Sequence, residues 1–206
     1  TYGGAISCFH GSGGVINSCI INNNAATDEG GGIYCVEESP ILMNNLIYSN
    51  TADEGGGICT MTSNPEIINC TITRNTAVSG GGIALREIPY TSPKEIKISN
   101  SIVYDNAPDA ISTLDQRVVA SFSDIQGDYT GAGVINTDPL FIDPDQNDFH
   151  LAHTATGQAE DSPCVNTGDK ASHLHAFKLF GNPTSLAEYS TRTDSVSDNG
   201  VVDMGY

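Results

Sequence analysis

The sequence predicts an all-β solenoid, a parallel β-helix. Two observations predict it: a repeat of about 25 residues, and short β-prone stretches within each repeat that are punctuated by Gly and Asn. Gly30-Gly31-Gly32-Ile33, Gly55-Gly56-Gly57-Ile58 and Gly80-Gly81-Gly82-Ile83 recur at a spacing of 25, and Gly3-Gly4-Ala5-Ile6 precedes them by 27. A second series runs beside the first. Asn17, Asn44, Asn69 and Asn100 stand three residues before Ile20, Ile47, Ile72 and Val103, and six before Asn23, Asn50, Asn75 and Asn106. A unit this short cannot make a propeller blade of about 40 residues, and a leucine-rich repeat would need several Leu per unit.

In a β-helix, equivalent positions of successive coils lie about 4.8 Å apart. Ile6, Ile33, Ile58 and Ile83 are therefore expected to stack as one inward ladder, and Ile20, Ile47, Ile72 and Val103 as another. Asn suits the bends because it tolerates a left-handed backbone and its amide can bond to the next rung. The triple Gly supplies positive φ or close backbone approach at another corner. Pro40 and Pro65 hold equivalent places, and the step of 31 from Asn69 to Asn100 puts an insertion at Ile88-Pro89-Tyr90-Thr91-Ser92-Pro93. Cys8 and Cys35 each follow a rung Ile by two residues, so they stack on adjacent coils, either within disulfide reach or as neighbouring buried thiols. Cys164 has no partner evident in the sequence. After about residue 110 the period fades. Ser121 to Gly127 reads as one further strand and turn, Asp138 to Pro144 as another, and the rest as irregular closing structure. The expected organisation is coils over 1–110, with the last irregular coils and a cap of the same domain over 111–206.

Composition narrows the function classes. Asp plus Glu number 25 against 8 Lys plus Arg in 206 residues, a formal charge of −17, so a polyanion such as nucleic acid or an anionic membrane would be repelled. Apolar residues make up 38% of the chain, and no run approaches the roughly 18 that a membrane span needs. The 22 Gly and 9 Pro disfavour long helices. Thr1-Tyr2-Gly3-Gly4 has neither an initiator Met nor an apolar leader, so the chain is expected to begin after processing or inside a longer protein. Six Cys without a Cys-x-x-Cys pair fit an oxidising compartment better than a zinc site.

Beyond the Gly-Gly-Gly-Ile and Asn-x-x-Ile rungs, the chain carries a closing series. It consists of Ser123-Asp124-Ile125-Gln126-Gly127, Asp138-Pro139-Leu140-Phe141, Phe149-His150-Leu151, Asp161-Ser162-Pro163-Cys164-Val165-Asn166-Thr167-Gly168-Asp169 and Val202-Asp203-Met204-Gly205-Tyr206. With these motifs the sequence resembles the right-handed parallel β-helix repeat proteins of bacterial surfaces and secretions. The resemblance implies a right-handed coil, an extracellular or cell-surface setting and further coils upstream. It implies little about activity, because fold does not dictate function.

Candidate sites follow from side-chain chemistry. Asp143, Asp145, Asn147 and Asp148 place oxygens at close intervals, as a Ca²⁺ loop does, or form a solvated turn whose Asp side chains cap backbone amides. Asp28-Glu29 and Asp53-Glu54 precede the triple Gly on successive coils, so their four carboxylates should crowd, screened by solvent or bridged by a cation such as Ca²⁺. His173 and His175 with Asp169 have the donor types of a transition-metal site. A polysaccharide lyase would need a base and cations beside a uronate, for which Arg74, Arg86, Lys94 and Lys97 are available. A glycoside hydrolase would need a carboxylate pair, for which Asp105 and Asp109 are the late-coil candidates.

No catalytic residue is assigned. The expected function is a non-catalytic extracellular module for surface, adhesion or self-assembly, and the alternative is a protein that binds or cleaves an extracellular polysaccharide. The first coil is expected to be covered by upstream coils, by a cap from a partner, or by end-to-end stacking of identical chains into a filament.

Overall fold

The computed structural model describes residues 1–11, 14–86, 94–113, 117–169 and 203–205, with the backbone alone of 177–179 and 182–184. Each coil contributes three strands. The first holds β1 (Ile6–Phe9), β2 (Val15–Asn17) and β3 (Ile20–Asn22), and the second β4 (Ile33–Val36), β5 (Ile41–Met43) and β6 (Leu46–Tyr48). The third holds β7 (Ile58–Met61), β8 (Glu66–Ile68) and β9 (Thr71–Thr73). The fourth holds β10 (Ile83–Arg86), β11 (Ile96–Ser99) and β12 (Ile102–Tyr104), and the fifth β13 (Ile111–Thr113), β14 (Val118–Ser121) and β15 (Asp124–Ile125). Like strands of successive coils pair in parallel, giving three sheets in the orders β1-β4-β7-β10-β13, β2-β5-β8-β11-β14 and β3-β6-β9-β12-β15. This is the right-handed parallel β-helix the repeat predicts, and it runs one full coil past residue 110.

Ile33, Ile58 and Ile83 stack in register with no exposed surface, Ile111 extends the ladder, and Ile6 at its upper end is half-buried. The second ladder differs from expectation at one residue. Ile21, not Ile20, pairs with Ile47 and thence with Ile72 and Val103, so Ile21 is 5% exposed and Ile20 58%. The reason is arithmetic. Ile6 pairs with Ile33 at a separation of 27 but Ile16 with Leu42 at 26, so the two surplus residues of the first coil fall on either side of β2 and β3. A slip of one residue in a strand sends a side chain to the opposite face.

The bends follow the same register. Ser18, Asn44, Asn69 and Asn100 adopt positive φ at one corner, and Asn23, Ser49, Arg74 and Asp105 at another. The residue after the second corner forms an amide ladder of Asn24, Asn50, Asn75 and Asn106, buried from Asn50 onward. The Oδ1 atoms of Asn50, Asn75 and Asn106 each accept the backbone N–H of the ladder asparagine one coil before, at 3.0 Å. At the third corner Gly30, Gly55 and Gly80 have φ of 64° to 68°, and a Cβ on Gly56 would stand 2.4 Å from the Thr76 carbonyl oxygen of the next coil. Glycine there is imposed by both conformation and proximity. The insertion expected at 88–93 lies outside the described residues.

After β15 the loop carrying Tyr129 and Val134 packs against the end of the core, and the Tyr129 hydroxyl donates to the Ile111 carbonyl at 2.8 Å. An antiparallel hairpin of β16 (Phe141–Asp143) and β17 (Asp148–Leu151) follows. Leu151, Cys164 and Met204 then bury Ile102 on the outer surface of the third sheet, while the Phe149 ring lies 4.9 Å from that of Tyr48. The closing segment therefore covers a side of the solenoid as well as its end. A further backbone hairpin pairs β18 (Phe177–Leu179) with β19 (Asn182–Thr184). No helix among the described residues is long and apolar enough to cross a membrane.

Candidate functional site

The outer surface of the first sheet carries an assembly of charged and aromatic groups. Alternation along β4, β7 and β10 turns Tyr34, Cys59 and Ala84 outward, and they form a small buried cluster edged by Val36 and Met61. Tyr2 stacks on Tyr34 with ring centroids 5.4 Å apart, and Phe9 meets it edge-on at 5.8 Å. Tyr2 and Phe9 remain 56% and 47% exposed.

Beside these rings stand the stacked acidic residues that the repeat predicts. Glu29 and Glu54 pair across adjacent coils, and Arg86 reaches both, with Nη1 2.5 Å from Glu29 Oε1 and Nε 3.0 Å from Glu54 Oε2. The cation between these rungs is thus a guanidinium supplied by the end of β10. Glu29 is buried, and among the described residues its second oxygen, Oε2, has no hydrogen-bond partner. Burial and the Glu29 carboxylate push the Tyr34 phenol well above its ordinary pKa. Asp28 lies outside this group, paired with the N-terminal ammonium, and Asp53 is exposed.

In the 143–148 loop, oxygens of Pro144, Asp145 and Asp148 are likewise engaged by protein groups. Pro144 to Gln146 form a 3-10 turn closed by Asn147 at φ 61°. Arg74 Nη2 pairs with Asp145 Oδ1 at 2.7 Å, Arg74 Nη1 donates to the Pro144 carbonyl, and Nε lies 3.4 Å from Asp105 Oδ2. Asp148 meets His150 Nδ1 at 2.5 Å, and Asp143 is exposed. Among the described residues no three His, Cys, Asp or Glu side chains gather as a metal centre would require. His173 and His175 lie outside the described residues, whereas the backbone N–H of Asp169 donates to Asn100 Oδ1 at 2.7 Å.

The two late-coil carboxylates do not meet. Asp105 lines a groove of about 350 Å³ between the fourth coil and the hairpin, with Tyr104, Asp138 and Phe141. Asp109 lines a different depression with Asp128 and Tyr129, and accepts the backbone N–H of Gly80 at 2.7 Å. Lys97 pairs with Glu66 at 3.2 Å across adjacent coils of the second sheet.

One polar group was not evident in the sequence. Beneath the closing segment, Asp124 accepts the Thr137 N–H at 3.1 Å and the Cys164 thiol at 3.3 Å, and burial raises its carboxyl to about 6. His153 and Asp203, both buried, lie 3.4 Å apart nearby. A polar residue in an outward strand position opposite Ile102 was the available signal, but it is legible only once the short step of the last coil is known.

Comparison with known proteins gives one match. Residues 1–149 match the model of the family described as "Right handed beta helix region". None of the curated proteins and none of the solved structures compared with the chain matches it.

Proposed function

We propose that this chain, which belongs to the right-handed β-helix family, serves as a non-catalytic module of an extracellular or cell-surface protein, a stiff stack of coils whose sides present contact surfaces. The observation that carries this reading is where the cations go. Arg74, Arg86 and Lys97, three of the four cations (with Lys94) open to a uronate-cleaving site, each bind a carboxylate of a neighbouring coil or of the closing hairpin. Asp105 and Asp109 face different depressions, so they do not flank a common bond as two hydrolytic carboxylates must. Assembly belongs to the same reading, because the outer edges of β1, β2 and β3 are strand edges with which a further coil or a second copy could pair. The test is incubation of the chain with charged and neutral polysaccharides, assaying new reducing ends and unsaturated uronates, with sedimentation over a range of protein concentrations. Turnover that Arg74→Ala or Asp105→Asn abolishes would overturn the non-catalytic reading.

A second reading, polysaccharide binding without cleavage, is favoured by the exposed Tyr2 and Phe9 rings beside Tyr34 and the Arg86 cluster. Sugar faces stack on such rings, and retention in gels containing polysaccharide that Tyr2→Ala and Phe9→Ala together remove would establish it.

A further inference from the structure

We propose that Cys8 and Cys35 form a dithiol–disulfide couple that links the first coil to the second and closes by exchange with a low-molecular-weight disulfide. The pairing of β1 with β4 sets Cys8 directly opposite Cys35. Paired strands run about 4.7–4.9 Å apart, inside the range of about 4.4–6.8 Å between Cα atoms that a disulfide spans. Both side chains belong to the inward face, two residues after Ile6 and Ile33, and pack in the main core. Among the described residues, the other four cysteines have no such opposite. Cys19 and Cys70 flank Asn45, Cys59 lies on the outer face between Tyr34 and Ala84, and Cys164 rests on Asp124 beneath the closing segment.

The couple is asymmetric in a way that assigns roles. Cys8 is half-buried, and its thiol is held down to about 7 by the hydrogen bond with Cys35, against the opposing effects of burial and the Glu38 carboxylate. Cys35 is fully buried and its thiol is pushed up by the same bond and by burial. Cys8 therefore supplies the attacking thiolate. It displaces one thiolate from the small disulfide to give a mixed disulfide on Cys8. Cys35 then loses its proton, attacks the Cys8 sulfur and displaces the second thiolate. Two protein thiols are oxidised, and one small disulfide is reduced to two thiols.

The experiment uses the full chain, reduced and then equilibrated in glutathione buffers of increasing oxidised fraction, quenched with acid, alkylated after unfolding and mapped by mass spectrometry. The expected result is a peptide link between Cys8 and Cys35, with the other four of the six cysteines alkylated. Cys35→Ser should stop at a glutathione adduct on Cys8, and Cys8→Ser should give neither adduct nor link. Because a buried substitution can disturb the first coils, the unaltered protein provides an independent measure. Brief native alkylation should label Cys8 well ahead of Cys35 and abolish closure. Six free thiols in the most oxidising buffer, a link between any other cysteines, or labelling of Cys35 as fast as Cys8 would overturn the proposal.

Discussion

Replacing Asn75 by Ala tests whether the amide ladder stabilises the stack. The Asn75 side chain is fully buried, and its Oδ1 accepts both the backbone N–H and the side-chain amide of Asn50 at 3.0 Å. Its Nδ2 donates to the Ile47 carbonyl at 2.9 Å and to the Thr73 carbonyl and Asn106 Oδ1 at 3.0 Å. Truncation leaves buried groups of the second and third coils without this partner. Two orphaned groups at about 1–2 kcal/mol each give a loss of about 3 kcal/mol. For a chain of this length that corresponds to a fall of roughly 6–12 °C in melting temperature. The matched control is Asn24→Ala, at the start of the ladder in the first coil, where the side chain is half-buried and the expected cost is below about 1 kcal/mol. Thermal and urea unfolding followed by circular dichroism provide the measurement, with equal urea slopes required for the comparison. If the two variants differ by less than about 1 kcal/mol, hydrogen bonding between rungs is not what the buried asparagines contribute.

Three further outcomes can be measured. Because burial raises the Asp124 carboxyl to about 6 while an unfolded one titrates near ~4, the native chain holds this proton more tightly. Stability from this group therefore falls as pH rises from ~4 through ~6. Asp124→Asn should gain about 2 kcal/mol at pH ~7 and little at pH ~4, and a difference that ignores pH would sink the assignment. Arg74→Ala should cost about 1 kcal/mol and raise amide exchange across 141–151 while β7 and β8 stay protected; unchanged exchange in the hairpin would show that Arg74 does not fasten it. With Arg86 between Glu29 and Glu54 and Arg74 on Asp145, a chelator is expected to leave the melting temperature unchanged. A fall on adding chelator would instead assign these loops to calcium.

The ladders at Ile33, Ile58 and Ile83 were legible because strand pairing repeats at the sequence period, and the triple glycines because close coils admit no side chain. Ile20 was misplaced because spacing reports the total length of a coil and not where its surplus residues sit. The acidic stack at Glu29 and Glu54 could be read, but its partner could not. Arg86 ends a strand two coils beyond Glu29, and only three-dimensional pairing brings it there. The environment of Asp124 was hidden for a related reason, since Cys164 reaches it from 40 residues away through a segment with no period.

The way the closing segment lies along the third sheet sets an order of events for the growing chain. A coil meets its neighbour across about 25 residues, as Asn50 meets Asn75, so coils can add one after another as they emerge. The contact of Asp169 with Asn100 spans 69 residues, and the Gly205 N–H donates to the Asn100 carbonyl from still farther along the chain. Until those residues have been synthesised, Ile102 and its outward neighbour Tyr104 face solvent on a sheet that has already formed. The interval before Leu151, Cys164 and Met204 arrive is therefore one in which this sheet is open to clumping with nascent copies.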